Sequence, residues 1–205
     1  MARTAKITAQ TWVDTARETL IDEGLSGLKV DRLANRLGVT RGGFYHNFKD
    51  REDLFDQLIA HWEKECRFLP DDQPSTRRAE AAEWFDRVTA RLVESDGYDY
   101  RFDLAVREWA RADQRAAWAV ERADRERLKT LGRFFEILGY DEEEAGIRAR
   151  VFYYHQMGYY TIGVRESIAD RRRALHTYLE ILCGSGVLDT ARAGEARAGK
   201  RRVPS

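Results

Sequence analysis

The chain has 205 residues, of which 43% are hydrophobic and 34% charged, and its 35 basic and 35 acidic side chains give a formal net charge of zero. That balance argues against a generally cationic nucleic-acid coat, so any such binding must come from a local cluster of charge. The two distant cysteines, Cys66 and Cys183, argue against a disulfide scaffold and against structural zinc. No apolar run reaches the roughly 18 residues of a membrane span and no apolar leader is visible, so we expect a cytoplasmic protein with no membrane partner.

The first predicted helix extends from Thr8 to Glu23, where apolar residues recur at helical spacing before Gly24 provides a stop. We expect this helix to brace the two that follow it. Its predicted buried face consists of Trp12, Val13, Ala16, Leu20 and Ile21.

Two short helices joined by a tight turn are predicted next. In Val30–Leu37 the apolar residues fall at i, i+3, i+4 and i+7, which buries one face. Gly38 follows, where a helix ends in a left-handed conformation that glycine adopts without steric cost. Thr40 then stands where its hydroxyl can accept a backbone N–H at the start of the second helix, Thr40–Asn47. Such a pair is the geometry that places one helix in a DNA groove.

The second short helix is predicted to have an apolar inner side and an outer side with few bulky side chains. Two glycines in so short a helix cost roughly 1 kcal/mol each against alanine. Glycine is nevertheless useful where a helix must approach a DNA backbone closely, because it has no side chain to hold the two backbones apart. We expect Phe44, Tyr45 and Phe48 to face inward, and Arg41, Gly42 and Gly43 to face outward.

The stretch from Val30 to Leu54 resembles the DNA-binding end of the tetracycline-repressor (TetR) family of transcriptional regulators. The resemblance extends over about Thr8 to Trp62 and is weak beyond it. Lys29 departs from the family pattern, which often has a capping Thr there, and Arg51 departs from the usual Lys. The residues that carry the resemblance are Lys29-Val30, Leu37-Gly38-Val39-Thr40, Gly43-Phe44-Tyr45-His46-Asn47-Phe48 and Arg51-Glu52-Asp53-Leu54.

Basic and aromatic side chains are grouped around this motif although the chain as a whole is neutral. We expect Arg41 to reach guanine O6 and N7 in the major groove. The side chains at the end of the second helix are expected to contact phosphates, which position a protein without reading sequence. The predicted DNA-binding residues are Lys29, Thr40, Arg41, Gly43, Tyr45, His46, Lys49 and Arg51.

The rest of the chain is also predicted to be helical, so the fold class is all-α. A fourth helix, capped by Asp50, is expected to run to about Phe68, before the break at Pro70–Pro74. Further helices are predicted at Arg77–Glu94, Arg101–Arg111, Arg115–Leu138, Glu142–Val164 and Ile168–Cys183. Breaks between them are predicted at Asp96-Gly97, Asp113, Gly139 and around Arg165-Glu166-Ser167.

We therefore expect three segments. Residues 1–49 form a three-helix, helix-turn-helix DNA-binding domain. Residues 50–184 form a connecting helix followed by a helical ligand-binding and dimerisation domain. Residues 185–205, rich in Gly, Ala and Arg, are predicted to be a disordered basic tail, either solvated or close to DNA.

The last two long helices are predicted to form a homodimer seam. The helix around Phe152 is apolar on nearly every face, and a second subunit is the simplest cover for the side that the core does not bury. The last two helices of each subunit would then form a four-helix bundle across the two-fold axis, and the TetR resemblance implies the same arrangement. A monomeric core remains the alternative. The predicted interface residues are Phe152, Ile162, Leu175, Tyr178, Leu179 and Leu182.

Aromatic residues are frequent after residue 80, and together they predict an apolar pocket for a small hydrophobic ligand. Most of them individually fit plain core positions, and His155 also fits a hydrogen-bonded core histidine. No metal and no cofactor is predicted, because no metal-ligand pair or nucleotide motif is present. The predicted ligand-binding residues are Phe102, Trp109, Phe135, Tyr154, His155 and Tyr159.

These observations favour a homodimeric repressor that binds a palindromic double-stranded DNA operator and is released by a small hydrophobic ligand. One alternative is a helical carrier or enzyme whose N-terminal helices only resemble a DNA reader. Another is a DNA-binding regulator that responds to protein partners and binds no small molecule. The grouping of charge on the motif favours a DNA-binding protein over the first alternative.

Overall fold

The computed structural model describes residues 7–94 and 97–199, with side chains described as far as residue 193. No strand occurs within these residues, which confirms the all-α prediction, and no helix among them is long and apolar enough to cross a bilayer. The described part of the chain contains one 3-10 turn, Leu25–Gly27, and ten α-helices: α1 (Ala9–Glu23), α2 (Val30–Leu37), α3 (Arg41–Tyr45), α4 (Arg51–Glu65), α5 (Arg78–Glu94), α6 (Tyr100–Trp109), α7 (Gln114–Leu138), α8 (Glu142–Ile162), α9 (Ile168–Cys183) and α10 (Val187–Gly199).

The start of α1 is fixed by a reciprocal cap. The Thr11 N–H donates to Thr8 Oγ1 at 3.3 Å, and the Thr8 N–H donates to Thr11 Oγ1 at 3.4 Å. Two backbone donors that the helix itself leaves unpaired are thereby satisfied. Trp12 and Ala16 are fully buried on the inner face, as the apolar stripe predicted.

The chain divides into two compact units that do not follow the predicted boundary after residue 49. The first unit contains the described residues up to Cys66 together with Asp99–Arg122, so α4 and α6 belong with the N-terminal helices. Within it, Leu54 and Leu58 of α4 are fully buried, and the Trp62 indole N–H donates to the buried carboxylate of Asp103 at 2.9 Å. This packing explains why the unit extends past the predicted boundary.

The second unit, Arg67–Tyr98 with the described residues from Ala123 onward, has an aromatic core. The rings of Phe85 and Phe134 stack with centroids 4.2 Å apart, and Phe152 lies 5.1 Å from Phe85. The Tyr160 hydroxyl donates to the carbonyl of Leu92 at 3.1 Å, which joins α8 to α5. Aromatic packing and buried hydrogen bonds, including one from Arg127 of α7 to the Tyr153 hydroxyl of α8 at 3.1 Å, therefore hold α5, α7 and α8 together.

The predicted disorder of the tail is wrong for its first part, because α10 is a packed helix. Leu188 and Ala191 of α10 are buried, and α10 lies against α5, where Arg192 donates to Asp86 at 2.6 Å. Alanine is the strongest helix former, and two buried apolar side chains three residues apart are enough to dock the helix. The predicted tail from residue 200 and the predicted break at Asp96 lie outside the described residues.

We predict that Leu188→Ala lowers the free energy of unfolding by about 2 kcal/mol, because it removes a buried side chain and leaves a cavity under α10. Chemical denaturation of the full chain measures this. Asp189→Ala, at an exposed neighbouring position, is the control and should change stability by less than about 1 kcal/mol. Equal stability of Leu188→Ala and the wild type would contradict the packing of α10 on α5.

Candidate functional site

The turn between α2 and α3 has the geometry that the sequence predicts. Gly38 has φ 66° and ψ 30°, a left-handed conformation in which its N–H donates to the Asn35 carbonyl at 3.1 Å. The next N–H, from Val39, donates to the Ala34 carbonyl at 3.0 Å. These bonds satisfy the last carbonyls of α2 and reverse the chain within a few residues.

α3 is anchored by an aromatic cluster on its inner side. Phe44 is fully buried, packs edge-on against Trp12 with centroids 5.4 Å apart, and stacks on Phe48 at 5.0 Å. Phe48 lies beyond the end of the helix, because α3 closes at Tyr45 rather than at the predicted Asn47. α1 therefore braces the short helix, as expected, and fixes which side of it faces outward.

The orientation of the two glycines differs from the prediction at one position. A Cβ added to Gly43 lies 3.8 Å from Val39 Cγ2 and 4.0 Å from Trp12 Cζ2, so this position faces the packed side. A Cβ added to Gly42 has only Thr40 Oγ1 within reach, at 3.6 Å. Gly42 is therefore the glycine that leaves room outside the helix, and the predicted outward position of Gly43 is wrong.

Thr40 and Lys29 occupy the N-cap positions of α3 and α2, but neither side chain makes a capping hydrogen bond. The predicted cap by the Thr40 hydroxyl is therefore wrong. Both side chains are exposed, which leaves the Thr40 hydroxyl and the Lys29 ammonium group accessible.

The outer side of the motif is an exposed group of polar and charged side chains, which we call the reading surface. Tyr45 is 50% exposed, so its predicted inward orientation is wrong and its position suits an external contact instead. The remaining side chains of the surface are exposed as well. The reading surface consists of Lys29, Thr40, Arg41, Gly42, Tyr45, His46 and Lys49.

Arg41 is held in place on this surface by its neighbours. Its Nη2 donates to the Tyr45 hydroxyl at 3.2 Å, and its guanidinium lies 5.7 Å from the Tyr45 ring centroid and 3.7 Å from Asp31. The hydrogen bond to Tyr45, that residue's charge and the charge of Asp31 raise the pKa of Arg41 further, so the side chain stays cationic. Exposed ion pairs are weak, so a stronger acceptor can replace Asp31.

Lys49 and Arg51 flank the start of α4, but they have different surroundings. Lys49 is exposed, and its backbone N–H donates to Asp53 Oδ2 at 3.0 Å, which is the main cause of the lowered pKa of Asp53. Arg51 instead donates from Nε to the Leu28 carbonyl at 3.2 Å and lies 4.5 Å above the Phe55 ring. Arg51 therefore ties α4 to the segment before α2, a packing role that the sequence did not reveal.

The predicted ligand-binding residues do not form one site. Phe102 and Trp109 are buried in the first unit, and Phe135 is fully buried in the aromatic core of the second. Tyr154 is 57% exposed. The prediction fails because aromatic spacing marks buried positions without saying which of them surround a cavity.

A groove of about 360 Å³ does lie in the second unit, between α5, α8 and α9. From the predicted ligand set it includes His155 and Tyr159. From the predicted dimer set it includes Phe152 and four residues of α9, which are Leu175, Tyr178, Leu179 and Leu182. Residues that were predicted separately as ligand-binding and as dimer-interface residues therefore line one groove.

The outer face of α8 carries an exposed apolar stripe. Ile147, Val151, Tyr154 and Ile162 are spaced at 4, 3 and 8 residues, and Ile162 is 79% exposed. On α9, Tyr178 and Ile181 are exposed as well. Of the predicted interface residues, Phe152 is instead a core residue, buried between Phe68 and Phe85, because it faces the opposite side of α8 from the stripe.

Residues 13–58 match the family model of the bacterial regulatory proteins, tetR family. The N-terminal part of the chain is therefore similar to that family. The matched segment contains α2, α3 and the start of α4, which carry the reading surface.

Named relatives are similar over short stretches of the chain. The HTH-type transcriptional regulator AcrR of Shigella flexneri is 37% identical over 59 residues, which are 29% of this chain and 26% of the relative. The class C tetracycline repressor protein of Escherichia coli is 42% identical over 53 residues, 26% of this chain and 24% of the relative. The matches thus span about a quarter of either relative.

Among solved structures, BioQ with its double-stranded DNA operator aligns with 91% of this chain and 99% of its own, at 19% identity and a TM-score of 0.39. That score is too low to establish a common arrangement over the whole chain. The similarity to the tetR family therefore rests on the N-terminal sequence.

The two glycines of α3 are predicted to respond oppositely to substitution. Gly43→Val should destabilise the domain by about 1–3 kcal/mol, because the branched methyl groups enter the contact with Val39 and Trp12. Gly42→Val should leave stability nearly unchanged, because its side chain enters open space. Thermal unfolding followed by circular dichroism measures both. Similar melting of the two variants would contradict the orientation of α3 described above.

Proposed function

We propose that the protein is a homodimeric DNA-binding transcriptional regulator, a repressor released from its operator by a small hydrophobic or aromatic ligand. The observation that carries the proposal is the two-sided α3, with Phe44 buried on one side and the reading surface exposed on the other. A helix with this exposed side in a tetR-family domain is suited to the major groove. The relatives named as transcriptional regulators support the same class of function rather than an enzyme.

In the proposed complex, Arg41 at the start of α3 reads a base edge. An arginine donates two parallel hydrogen bonds to guanine O6 and N7, and its contacts with Tyr45 and Asp31 are exposed enough to be exchanged for them. Lys49 lies at the far end of the motif, beyond Phe48, where a phosphate backbone borders the groove. Lys29, Thr40, Tyr45 and His46 are further proposed contacts.

The proposed dimer forms through α8 and α9. The exposed stripe on α8 includes Gly158, where an added Cβ meets no atom within 4 Å, so a second helix can approach closely there. Burying Val151, Ile162 and Ile181 against a second copy removes their apolar surface from water, and this stabilises the dimer. A two-fold axis then presents two reading surfaces to the two halves of a palindromic operator.

The proposed ligand acts by a population shift. A compound that binds preferentially to a conformation with the wrong spacing of the two reading surfaces lowers operator affinity by its differential affinity and by no more. DNA must then lower the affinity for the ligand by the same factor. Such a regulator acts in the cytoplasm, where it meets both DNA and small metabolites.

Two other functions make different predictions. A helical carrier or enzyme has no reason to expose Lys29, Arg41 and Lys49 on one motif, and it would select no DNA sequence from a random pool. A regulator without a ligand would select DNA, but no compound would release it. Selection of bound duplexes from random DNA, followed by a screen for compounds that release the selected duplex, distinguishes the three functions.

We predict that Lys49→Ala and Arg41→Ala weaken binding to the selected duplex in different ways. Lys49→Ala should weaken all sequences alike and lower the slope of log K against log salt by about one for each phosphate that the variant no longer neutralises. Arg41→Ala should relax preference at one base pair per half-site, at a cost of about 1–3 kcal/mol for each arginine–guanine pair removed.

Gel-shift titrations at several salt concentrations, with the selected duplex and with single-base variants, measure both effects. Lys64→Ala, on the exposed surface of α4 away from the motif, is the matched control and should leave the slope and the base preference unchanged. The proposed roles would be contradicted if Lys49→Ala lowered the affinity for some DNA sequences only, or if Arg41→Ala lowered the affinity for all sequences equally.

We predict that Ile181→Glu gives folded monomers. The side chain is 75% exposed in one protomer, so its replacement leaves the fold intact, whereas an unpaired carboxylate buried in the proposed seam costs several kcal/mol. Leu179 is half-buried on α9 and is a poorer test position, because a charge there also affects the protomer. Sedimentation velocity at micromolar concentration measures the mass, with Glu142→Gln on the exposed start of α8 as control. A dimeric Ile181→Glu variant would place the seam elsewhere.

A further inference from the structure

The groove between α5, α8 and α9 is elongated, and α8 and α9 run along it in opposite directions. At one end, Arg148 of α8 donates to the Leu182 carbonyl of α9. At the other end, the Arg171 guanidinium of α9 lies 4.8 Å from the ring centroid of Tyr159 on α8. Arg171 and Leu182 are eleven residues apart, so the groove extends for about 16 Å along α9. Its volume of about 360 Å³ suits one extended chain.

The wall between the two ends is largely apolar. Leu92 and Val93 come from α5, Phe152 from α8, and Leu175 and Leu179 from α9. A hydrocarbon chain that lies along these side chains is removed from water, which favours its binding. Of the described residues that line the groove, those with a charged side chain are Arg148, Glu166 and Arg171.

The two arginines at the ends of the groove have different surroundings. Arg148 is paired with Glu144, whose Oε1 accepts from its Nη2 at 2.7 Å. Arg171 donates from Nη1 to the Val93 carbonyl at 3.1 Å, but no carboxylate of the described residues lies within ion-pair distance of its guanidinium. Arg171 is therefore the cation in the groove with which an anionic ligand can pair.

The lack of an acidic partner distinguishes Arg171 within a run of three arginines. Arg172 is paired with Glu94, and Arg173 with Asp170. Both of these arginines are exposed, whereas Arg171 is half-buried. Because water weakens the attraction between exposed charges, a half-buried cation gains more from an added anion than an exposed one does.

Glu166 lies near the same end of the groove, but its carboxylate interacts with a different side chain. It is exposed, and it accepts the Tyr159 hydroxyl at 3.1 Å. Burial and this hydrogen bond raise the pKa of Tyr159, so the hydroxyl remains a donor at neutral pH. An anion in direct contact with Arg171 gains a charge-assisted hydrogen bond, whereas water screens its repulsion from the exposed Glu166. The Arg171 end of the groove therefore still favours an anion.

We propose that this groove binds a single-chain amphiphile with a carboxylate at one end, whose hydrocarbon lies along α9 and whose carboxylate pairs with Arg171. The planar guanidinium offers parallel N–H donors that fit the two oxygens of a carboxylate. The inference rests on the ligand-responsive part of the proposed function and narrows its hydrophobic ligand to an acidic one. Arg171 selects for the charge, whereas the leucine side chains supply affinity without distinguishing one head group from another.

A second copy of the chain is the competing occupant of the groove. Val151, Tyr178 and Ile181 line the groove and also belong to the exposed apolar surface of the proposed seam. Apolar side chains from a partner would cover this surface but would leave Arg171 without an anion. The unpaired guanidinium therefore favours an acidic amphiphile inside the groove.

Decanoate and 1-decanol test the proposal, because their chains are equally long and only decanoate is charged at neutral pH. A groove without a cation would bind 1-decanol more tightly, since moving a carboxylate out of water is costly. We expect isothermal titration of the full chain to show the reverse, with decanoate binding about 10-fold more tightly, the effect of one hydrogen bond between charged groups. Raising the salt concentration should weaken the binding of decanoate but not that of 1-decanol.

Variants of the charged residues locate the carboxylate of the probe. Arg171→Gln should make 1-decanol the tighter ligand, whereas Arg171→Lys keeps a cation and should keep the preference for decanoate. Glu166→Gln removes a nearby negative charge and should strengthen decanoate binding by about 2-fold. Arg172→Gln, at an exposed neighbour that does not line the groove, is the matched control and should leave the preference unchanged.

A further variant locates the hydrocarbon of the probe. Ala174→Phe places a ring among the residues that line the groove and should weaken the binding of both probes. Should Arg171→Gln fail to fold, the preference of the wild type and the effects of Arg171→Lys and Glu166→Gln still decide between the outcomes.

The proposal would be overturned if the wild type bound decanoate no more tightly than 1-decanol, or bound neither. A preference for decanoate that persisted in Arg171→Gln would also overturn it. Binding of decanoate to the Ile181→Glu monomer alone would do so as well, since a second copy then occupies the groove. Selection of DNA by the ligand-free protein tests the proposed function separately. A protein that prefers decanoate but selects no DNA would retain the site and lose the regulatory role.

Discussion

The packing of Phe44 between Trp12 and Phe48 is the contact on which the N-terminal half of the molecule depends. α3 has only five residues, far fewer than an isolated helix needs in water, so its stability comes from this aromatic cluster. The cluster fixes rotation about the helix axis as well. With Phe44 buried against this cluster, Arg41 and Tyr45 are exposed on the reading surface.

Contacts next to α3 also hold α4 in position. Asp50 caps α4 by accepting the Asp53 N–H at 2.9 Å, and Arg51 reaches back to the Leu28 carbonyl. Phe55, beneath Arg51, packs edge-on against Trp109 with centroids 5.0 Å apart. The first unit is thus a continuous set of contacts from the reading surface to α6, and a shift of α4 would change the position of Lys49 directly.

The second unit combines a closed aromatic core with an open outer face. Phe85, Phe134 and Phe152 fill the interior, whereas α8 exposes Ile147, Val151 and Ile162 on its other side. A helix with apolar residues on both sides is stable in water only if a second surface covers the outer one. The proposed dimer seam meets that need, and the groove between α5, α8 and α9 lies beside it.

Much of the segment that carries the reading surface could be predicted from the sequence, because its features depend on residues that are close together in the chain. The Gly38 turn, the Asp50 cap and the burial of Phe44 each follow from a few neighbouring residues. The orientations of Gly43 and Tyr45 could not, since a five-residue helix is too short for its periodicity to fix a face.

Long-range features escaped prediction for a related reason. The packing of α10 on α5 joins residues more than 90 positions apart, and Gly/Ala/Arg composition alone suggested disorder. The groove depends on which helix faces come together, so counting aromatic residues identified His155 and Tyr159 but also included the core residue Phe135.

The central claim, that the exposed side of α3 is what touches DNA, is tested most directly by NMR. A duplex recovered by selection from random DNA is titrated into isotopically labelled protein, and backbone amide shifts are followed. We expect the largest changes at Lys29, from Thr40 to Gly42, and at Tyr45, His46 and Lys49, with smaller changes at the buried Phe44. Largest changes on α8 and α9, with the reading surface unaffected, would contradict it.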